Sequence, residues 1–298
     1  MTSKVGRLLG PTEDPTSIRR LILSGAVRLE RAGVLHARHE AEWLLERLLN
    51  VRGPELYLRQ EPVGSKLAKI FWDTLEQRAQ GAPLQYLLGQ AEFYGLSFEV
   101  APGVFIPRPE TERVVTSALE ALRPMAGRRL RLLDAGTGTG AIAVALARQL
   151  EACVVVGVEL SWDALRIARR NIQRYKLMDR VWLVHGHWLD AVRGPLDGVV
   201  CNPPYIASAE LDRLPADVRC EPRQSLDGGP DGLNAFRELV AAAGGVLAPN
   251  GVLALECGET QVDAVRELLQ RSGWAQRSGV VHDLAGRPRG LVARRQLF

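Results

Sequence analysis

From Arg129 to Cys257 the chain alternates wholly apolar runs with amphipathic stretches, and this rhythm restricts the fold more than any other feature. RLRLLDAG, CVVVGVEL, RVWLVHG, LDGVVCN and GVLALEC read as strands. AIAVALARQL and SWDALRIARRNIQRYKL read as helices, and further helices are expected at about 231–243 and 259–271. Strands apolar on both faces and separated by helices belong to a parallel sheet covered on both sides. The last stretch, WAQRSGVVHDLAGRPRGLVARRQ, holds two strand-like runs with no helix between them, so an antiparallel pair should finish the sheet.

The N-terminal part follows another period. Thr16 and Ser17 are cap residues ahead of Ile18, Leu21, Ile22 and Leu29, while residues 1–15 are punctuated by Gly, Pro and Thr and expected to fray. Ala41, Leu44, Leu45 and Leu48 line a second helix, and Leu67, Ile70, Phe71 and Leu75 a third, which Gly81-Ala82-Pro83 stops. Residues 1–82 therefore form a small helical domain. Residues 83–110 add a hairpin around Gly95 and a stiff connector with Pro102, Pro107 and Pro109. Residues 111–298 form the α/β domain, opening on a helix with Val114, Val115, Ala118 and Leu122 on one face.

Composition narrows the class. Apolar residues make up 46% and charged residues 24% of 298, the balance of a globular protein. No run is long enough to span a membrane, and MTSKVGRLLGPTEDP lacks a secretion pattern, so a cytoplasmic protein is expected. The net charge is +4, and arginine outnumbers lysine, which occurs only four times. The basic residues interleave with acids, which points to a solvated mixed surface and not to a nucleic-acid patch. Cys153, Cys201, Cys220 and Cys257 are too far apart in sequence for a metal knuckle, and HARH (His36, His39) and HGH (His185, His187) lack a third ligand, so no metal is expected.

Three segments carry chemistry. In LLDAGTGTGA, Asp134 ends a strand and Gly136, Gly138 and Gly140 alternate before a helix, with Thr137 and Thr139 between them. Such a turn lets a ligand approach the backbone and a helix N-terminus. The string satisfies both G-x-G-x-G and G-x-G-x-x-A, so alone it suits a sulfonium nucleoside or a dinucleotide. Glu159 closes the next strand, where a carboxylate can accept both hydroxyls of a ribose. VVCNPPYI is the most specific of the three. Pro203 and Pro204 cannot donate to a sheet, so the segment leaves it and exposes the Asn202 side-chain oxygen and the Pro203 carbonyl, two acceptors for one planar NH₂ group. Tyr205 offers a flat face against which that group can lie.

With Asn-Pro-Pro-Tyr after the fourth strand, the chain resembles methyltransferases that act on planar amide or exocyclic amino nitrogens. FIPRPETE (Phe105–Glu112), LDAGTGTGAIA (Leu133–Ala143), DVRCEPRQSLDGGPDG (Asp217–Gly232) and DLAGRPR (Asp283–Arg289) narrow the resemblance to the HemK/PrmC-type release factor glutamine N(5)-methyltransferases. It covers about residues 15–298. It implies an S-adenosylmethionine-dependent, Rossmann-like methyltransferase sheet, mostly parallel with an antiparallel edge, plus a helical substrate-recognition domain. It also implies a substrate, the glutamine of the Gly-Gly-Gln loop in class I peptide chain release factors, with no membrane or direct nucleic-acid partner.

The resemblance further implies residue roles. Asp134 and Gly136 through Gly140 would hold the methionine part of the cofactor, Glu159 its ribose, and Trp188 its adenine. Asn202, Pro203, Pro204 and Tyr205 would hold the glutamine amide, with Asn202 also touching the cofactor and Asn202, Pro203 and Tyr205 serving catalysis. Glu159 stands where relatives often have Asp, His187 where they often have Asp, and Cys201 where Ser is usual. An amide nitrogen is a poor nucleophile because its lone pair is delocalised. Two acceptors holding its hydrogens raise its electron density and aim it at the methyl group, so transfer needs mainly positioning and electrostatics.

Two rivals remain at this level: glutamine methylation of another translation protein, such as a ribosomal protein, and adenine-N6 methylation of a nucleic acid. The second needs a strongly basic face, and residues 1–82 carry 13 Lys/Arg against 10 Asp/Glu.

Overall fold

The computed structural model describes residue 14, residues 16–274 and residues 278–295. The expectation of a frayed N-terminus falls, apart from Asp14 itself, outside the described residues. The chain divides into two compact units, residues 1–89 with 216–220, and residues 90–215 with 221–298.

The first unit is helical: α1 (Ile18–Arg31), α2 (Ala37–Leu49), α3 (Pro54–Leu58), α4 (Ser65–Ala79) and α5 (Leu84–Leu88). Ser17 caps α1 by accepting from Arg20 N. The core gathers Leu21, Ile22, Leu44, Leu45, Phe71 and Leu75. One register detail differs from the sequence pattern. Ile70 is 38% exposed, and Ala68 takes the inward position on α4. The buried stripe runs through Ala68, Phe71, Leu75 and Arg78, spaced three to four residues apart, and Ile70 falls outside it. Arg78 is buried on the same face because Glu40 and Asp217 both pair with it, at 2.5 and 3.0 Å. This unit extends past residue 82 because Leu84 of α5 is buried in its core.

The second unit opens with the hairpin β1 (Gln90–Phe93) and β2 (Leu96–Glu99), followed by α6 (Pro109–Leu122). Then come β3 (Leu130–Ala135), α7 (Ala141–Gln149), β4 (Cys153–Glu159), α8 (Trp162–Arg174), β5 (Val181–His185) and β6 (Leu196–Cys201). After a short α9 (Ala216–Arg219), which belongs to the first unit, come α10 (Asn234–Val246), β7 (Leu247–Glu256), α11 (Val262–Arg271), β8 (Ser278–His282) and β9 (Pro288–Arg294). The sheet order is β5-β4-β3-β6-β7-β9-β8. The strands from β5 to β7 run parallel, and β9 runs antiparallel to both β7 and β8. Residues of α6 and α7 pack one face of the sheet, and residues of α10 and α11 pack the other. This is the helix-covered parallel sheet expected from the apolar strands, antiparallel edge included.

The strand order positions the site. β3 is the first strand of the sheet in sequence, β4 lies on one side of it and β6 on the other. Ligands of such sheets bind beyond the carboxyl ends of the strands at this reversal. Ala135 pairs with Cys201, so the glycine loop after β3 and the Asn-Pro-Pro-Tyr turn after β6 leave the sheet side by side.

Candidate active site

A cavity of about 530 Å³ opens at that reversal, within the range of sites for drug-sized ligands. The glycine loop forms its floor. Gly136, Gly138 and Gly140 all have positive φ, at 74, 54 and 81°. At Gly136 a side chain would begin 3.0 Å from Trp188 Cζ3, so Trp188 closes over bare backbone.

Asp134 holds the loop from beneath. Its Oδ2 accepts from Thr137 Oγ1 at 2.5 Å and from Ala143 N in the first turn of α7 at 3.0 Å. Its Oδ1 has no hydrogen-bond partner among the described residues. Complete burial raises this carboxyl to about 7, the two hydrogen bonds acting against the rise and the Glu159 charge adding to it. Asn171 of α8 supports the loop from the side, donating to Thr139 O at 2.9 Å and pairing with the Glu99 backbone at 2.7 and 3.0 Å.

A raised carboxyl ionises at greater cost in the folded state than in the unfolded one. Its contribution therefore lowers stability as pH rises from the unfolded value of 3.8 towards about 7, and is constant above that. Asp134→Asn removes this dependence. Its melting temperature relative to the wild type should rise between about pH 4 and about pH 8. A difference that stays constant across that range would show that Asp134 ionises freely in the fold.

Glu159 stands at the cavity wall with both oxygens engaged by backbone. Oε2 accepts from Gly138 N at 2.9 Å, and Oε1 from Leu160 N and Ser161 N at 2.9 and 2.8 Å. The carboxylate thus fixes the loop as well as facing the cavity, and it keeps acceptor capacity for a further hydroxyl. His187 is at the wall too, with Asp190 at 3.8 Å and Glu238 at 3.6 Å. His185 stacks on Trp162, ring centroids 4.2 Å apart, with its Nε2 2.9 Å from Leu160 O.

The turn after β6 divides its residues between two environments. Asn202 and Pro204 line the cavity, Pro203 is buried, and Tyr205 is not part of the lining. Asn202 Nδ2 donates to Thr111 Oγ1 at 3.1 Å, which leaves Oδ1 as the free acceptor. Tyr205 Oη donates to Glu256 Oε1 at 3.4 Å, and burial followed by the Glu256 charge pushes the phenol well above its ordinary value. Glu256 is itself buried, and burial raises it to about 7.

The frame around this turn draws on residues to which the sequence assigns no role. Gln261 Nε2 donates to Tyr205 O at 2.8 Å. Ile206 bonds Leu226 O and Gly228 N, at 3.0 and 2.8 Å. Glu221 accepts from Ile106 N at 3.0 Å and pairs with Arg108, whose guanidinium lies 5.2 Å from the Phe105 ring centroid. Leu226 and Gly228 thus brace the turn, and Phe105, Pro107 and Thr111 form part of the cavity wall. Of the residues expected in the site, Gly136, Thr137, Gly138, Thr139, Glu159, Trp188, Asn202 and Pro204 meet at the cavity, whereas Asp134, Gly140, Pro203 and Tyr205 stand behind its surface.

The site fits S-adenosylmethionine on three counts. The cavity has the volume, the glycine backbone leaves a bare cradle at Gly138 with nothing within 4 Å of where a side chain would begin, and the Glu159 carboxylate lines the wall where a cationic ligand would sit. Among the described residues no three His, Cys, Asp or Glu gather as a metal site, and no helix is long and apolar enough to cross a membrane.

Comparison with known proteins agrees with the two units. A family model described as PrmC N-terminal domain matches residues 20–89, and one described as Methyltransferase small domain matches residues 96–217. A crystal structure of a methyltransferase from Pyrococcus furiosus superposes with a TM-score of 0.51 at 21% identity, covering 69% of this chain and 91% of that one, a likeness of fold. The release factor glutamine methyltransferase of Geobacter sulfurreducens is 40% identical over 88% of this chain and 92% of its own. That of Moorella thermoacetica is 44% identical over 94% of this chain and 99% of its own. Identity at that level runs through the helical unit and the sheet alike, and the chain belongs to the release factor glutamine methyltransferase family.

Proposed function

We propose that this enzyme transfers the methyl group of S-adenosylmethionine to the side-chain amide nitrogen of the glutamine in the Gly-Gly-Gln loop of class I peptide chain release factors, in the cytoplasm. The observation that carries the reading is the orientation of Asn202. Its Nδ2 donates to Thr111, which places the oxygen of the amide away from Thr111 as an acceptor, and an acceptor is what a substrate amide requires.

When bound, S-adenosylmethionine supplies an electrophilic methyl group. The protein's part is positioning. Gly136–Thr139 and Trp188 receive the amino-acid and base portions, and Glu159 receives the ribose. Asn202 Oδ1 and the Pro203 carbonyl accept the two hydrogens of the glutamine NH₂, which directs its lone pair into the cavity. Tyr205, bonded to Glu256, supports the turn from behind the cavity surface. The helical unit supplies remote contacts to the release factor, since one glutamine side chain offers too little to distinguish it from any other.

The test is incubation with S-adenosylmethionine and a whole release factor, read by mass spectrometry. A single methyl group on the glutamine of Gly-Gly-Gln is expected, with a short peptide bearing that sequence methylated far less efficiently. Methylation of a different protein, or of nucleic acid in preference to the factor, rejects the reading.

Glu159→Ala should weaken S-adenosylmethionine binding by about 1.5–3 kcal/mol, the scale of lost charged hydrogen bonds. Part of that loss comes from the loop, because Gly138 N also loses its partner. Calorimetry that finds unchanged affinity removes Glu159 from the cofactor site.

A further inference from the structure

A turn with two successive prolines has lost two backbone donors, so it must be anchored by donors brought to its carbonyls. In Asn202-Pro203-Pro204-Tyr205 the demand is sharper, because a carbonyl kept for the substrate has to be held steady without being used. Past the turn, Ile206 is fixed by Leu226 O and Gly228 N. Within it, the carbonyl that receives an outside donor is that of Tyr205.

The donor is Gln261, the N-cap residue of α11. Its Nε2 donates to Tyr205 O at 2.8 Å and to Gly232 O at 3.3 Å, and its Oε1 accepts from Gly258 N at 2.9 Å. A primary amide has two N–H donors and one acceptor oxygen, and here each has a partner. Gly258 decides which way round the amide sits, since the reverse placement sets donor against donor. In return, Gln261 N donates to Gly258 O at 2.9 Å. Two bonds of opposite sense thus tie this side chain to the backbone just after β7, and the NH₂ group is presented to the turn from a closed ring. Two glycines make room for it. A side chain on Gly258 would begin 2.9 Å from Gln261 Oε1, and one on Gly232 would begin 2.5 Å from Gln261 Nε2.

We infer that Gln261 is a positioning residue for methyl transfer, its NH₂ group clamping the Tyr205 carbonyl so that Asn202 and the Pro203 carbonyl keep their aim at the substrate amide. Gln261 is not part of the cavity lining, so it acts through the turn. The inference rests on the reading of Asn202 and Pro203 as acceptors for the glutamine. The prolines fix φ at 203 and 204 and leave ψ free, so a turn released at Tyr205 can rotate its peptide planes. The same amide joins Tyr205, Gly232 and Gly258, three segments far apart in sequence, into one frame. The position requires donors and not merely bulk. A glutamate there has the same size and keeps the bond to Gly258 N, but it turns lone pairs towards two carbonyls.

The test uses the full-length enzyme with whole release factor and S-adenosylmethionine. Gln261 is half-buried, so Gln261→Glu and Gln261→Met should both fold, as circular dichroism will show. Gln261→Glu should lower kcat about 10-fold or more, the effect of a polar group left facing the wrong partner. Gln261→Met loses the donors without adding repulsion and should lower kcat about threefold or more. Calorimetric affinity for S-adenosylmethionine and KM for the factor should stay within about threefold of wild type in both. Gln261→Met combined with Asn202→Ala should cost less than the product of the separate losses, because both act on one turn. A role in packing alone leaves Gln261→Glu at wild-type kcat. That result would overturn the clamp, as would wild-type kcat in Gln261→Met, a loss carried by KM or cofactor affinity, losses that multiply in the pair, or failure of both variants to fold. If the wild-type enzyme itself leaves the release factor unmethylated, the substrate reading fails first and the clamp falls with it.

Discussion

Asn202→Ala is expected to cut turnover on a release factor by about 10²–10³-fold, the usual cost of one preorganised polar group at a reacting centre. The side chain sits at the end of β6 and lines the cavity without belonging to the apolar core, so the variant should fold and keep a melting temperature near that of wild type. Its removal takes away one of two acceptors for the substrate NH₂ and leaves the Pro203 carbonyl as the other. The nitrogen then keeps some of its hydrogen bonding and loses its alignment, which acts on kcat more than on KM. Steady-state kinetics on whole factor decides the matter. Near-normal kcat in Asn202→Ala removes the two-acceptor mechanism.

Gly232→Ala should be strongly destabilising. The residue has φ 74°, and a side chain there would begin 2.4 Å from Tyr205 O and 2.5 Å from Gln261 Nε2. The first neighbour is backbone of the Asn-Pro-Pro-Tyr turn, and the second is the side chain that holds it. Neither can move without shifting the turn. Overpacking and a left-handed conformation together cost about 2–5 kcal/mol, and chemical denaturation measures that loss. Turnover should fall as well, since Asn202 is displaced with Tyr205. Gly286 is the comparison, with φ 78° and nothing within 4 Å, so Gly286→Ala should cost only the backbone term of about 1–2 kcal/mol and spare activity. Equal effects at the two positions would show that the clash at Gly232 is relieved locally.

The parts of the site that the sequence makes legible are those in which a residue type has few other uses. Three alternating glycines after an apolar strand, a carboxylate ending the next one, and a double proline between Asn and Tyr each constrain backbone or donor count in a way visible without coordinates. The apolar rhythm fixes the sheet for the same reason, because period and length leave little else for those runs to form. The supporting residues are less visible. Thr111 looks like an ordinary helix residue, and Glu256 like a charge at the end of a strand. Gln261 and Glu221 act on backbone atoms 56 and 115 residues away. Their significance comes from tertiary proximity, which no local pattern encodes. Ile70 shows the same limit in the helical unit, where its apolar character suits the inward face but the buried stripe runs through Ala68, Phe71, Leu75 and Arg78.

The strand order also bears on how the enzyme comes to exist. β3 pairs with β4 through residues 130–135 and 153–158, a short crossover, while its other neighbour β6 begins only at Leu196. The glycine loop after β3 can therefore form early, from contacts close in sequence, and the Asn-Pro-Pro-Tyr turn cannot take its place until a far longer loop has closed. A nascent or partly unfolded chain would pass through a stage with a glycine cradle and no acceptor beside it. Assembly of the whole site then waits on the pairing of β6 with β3.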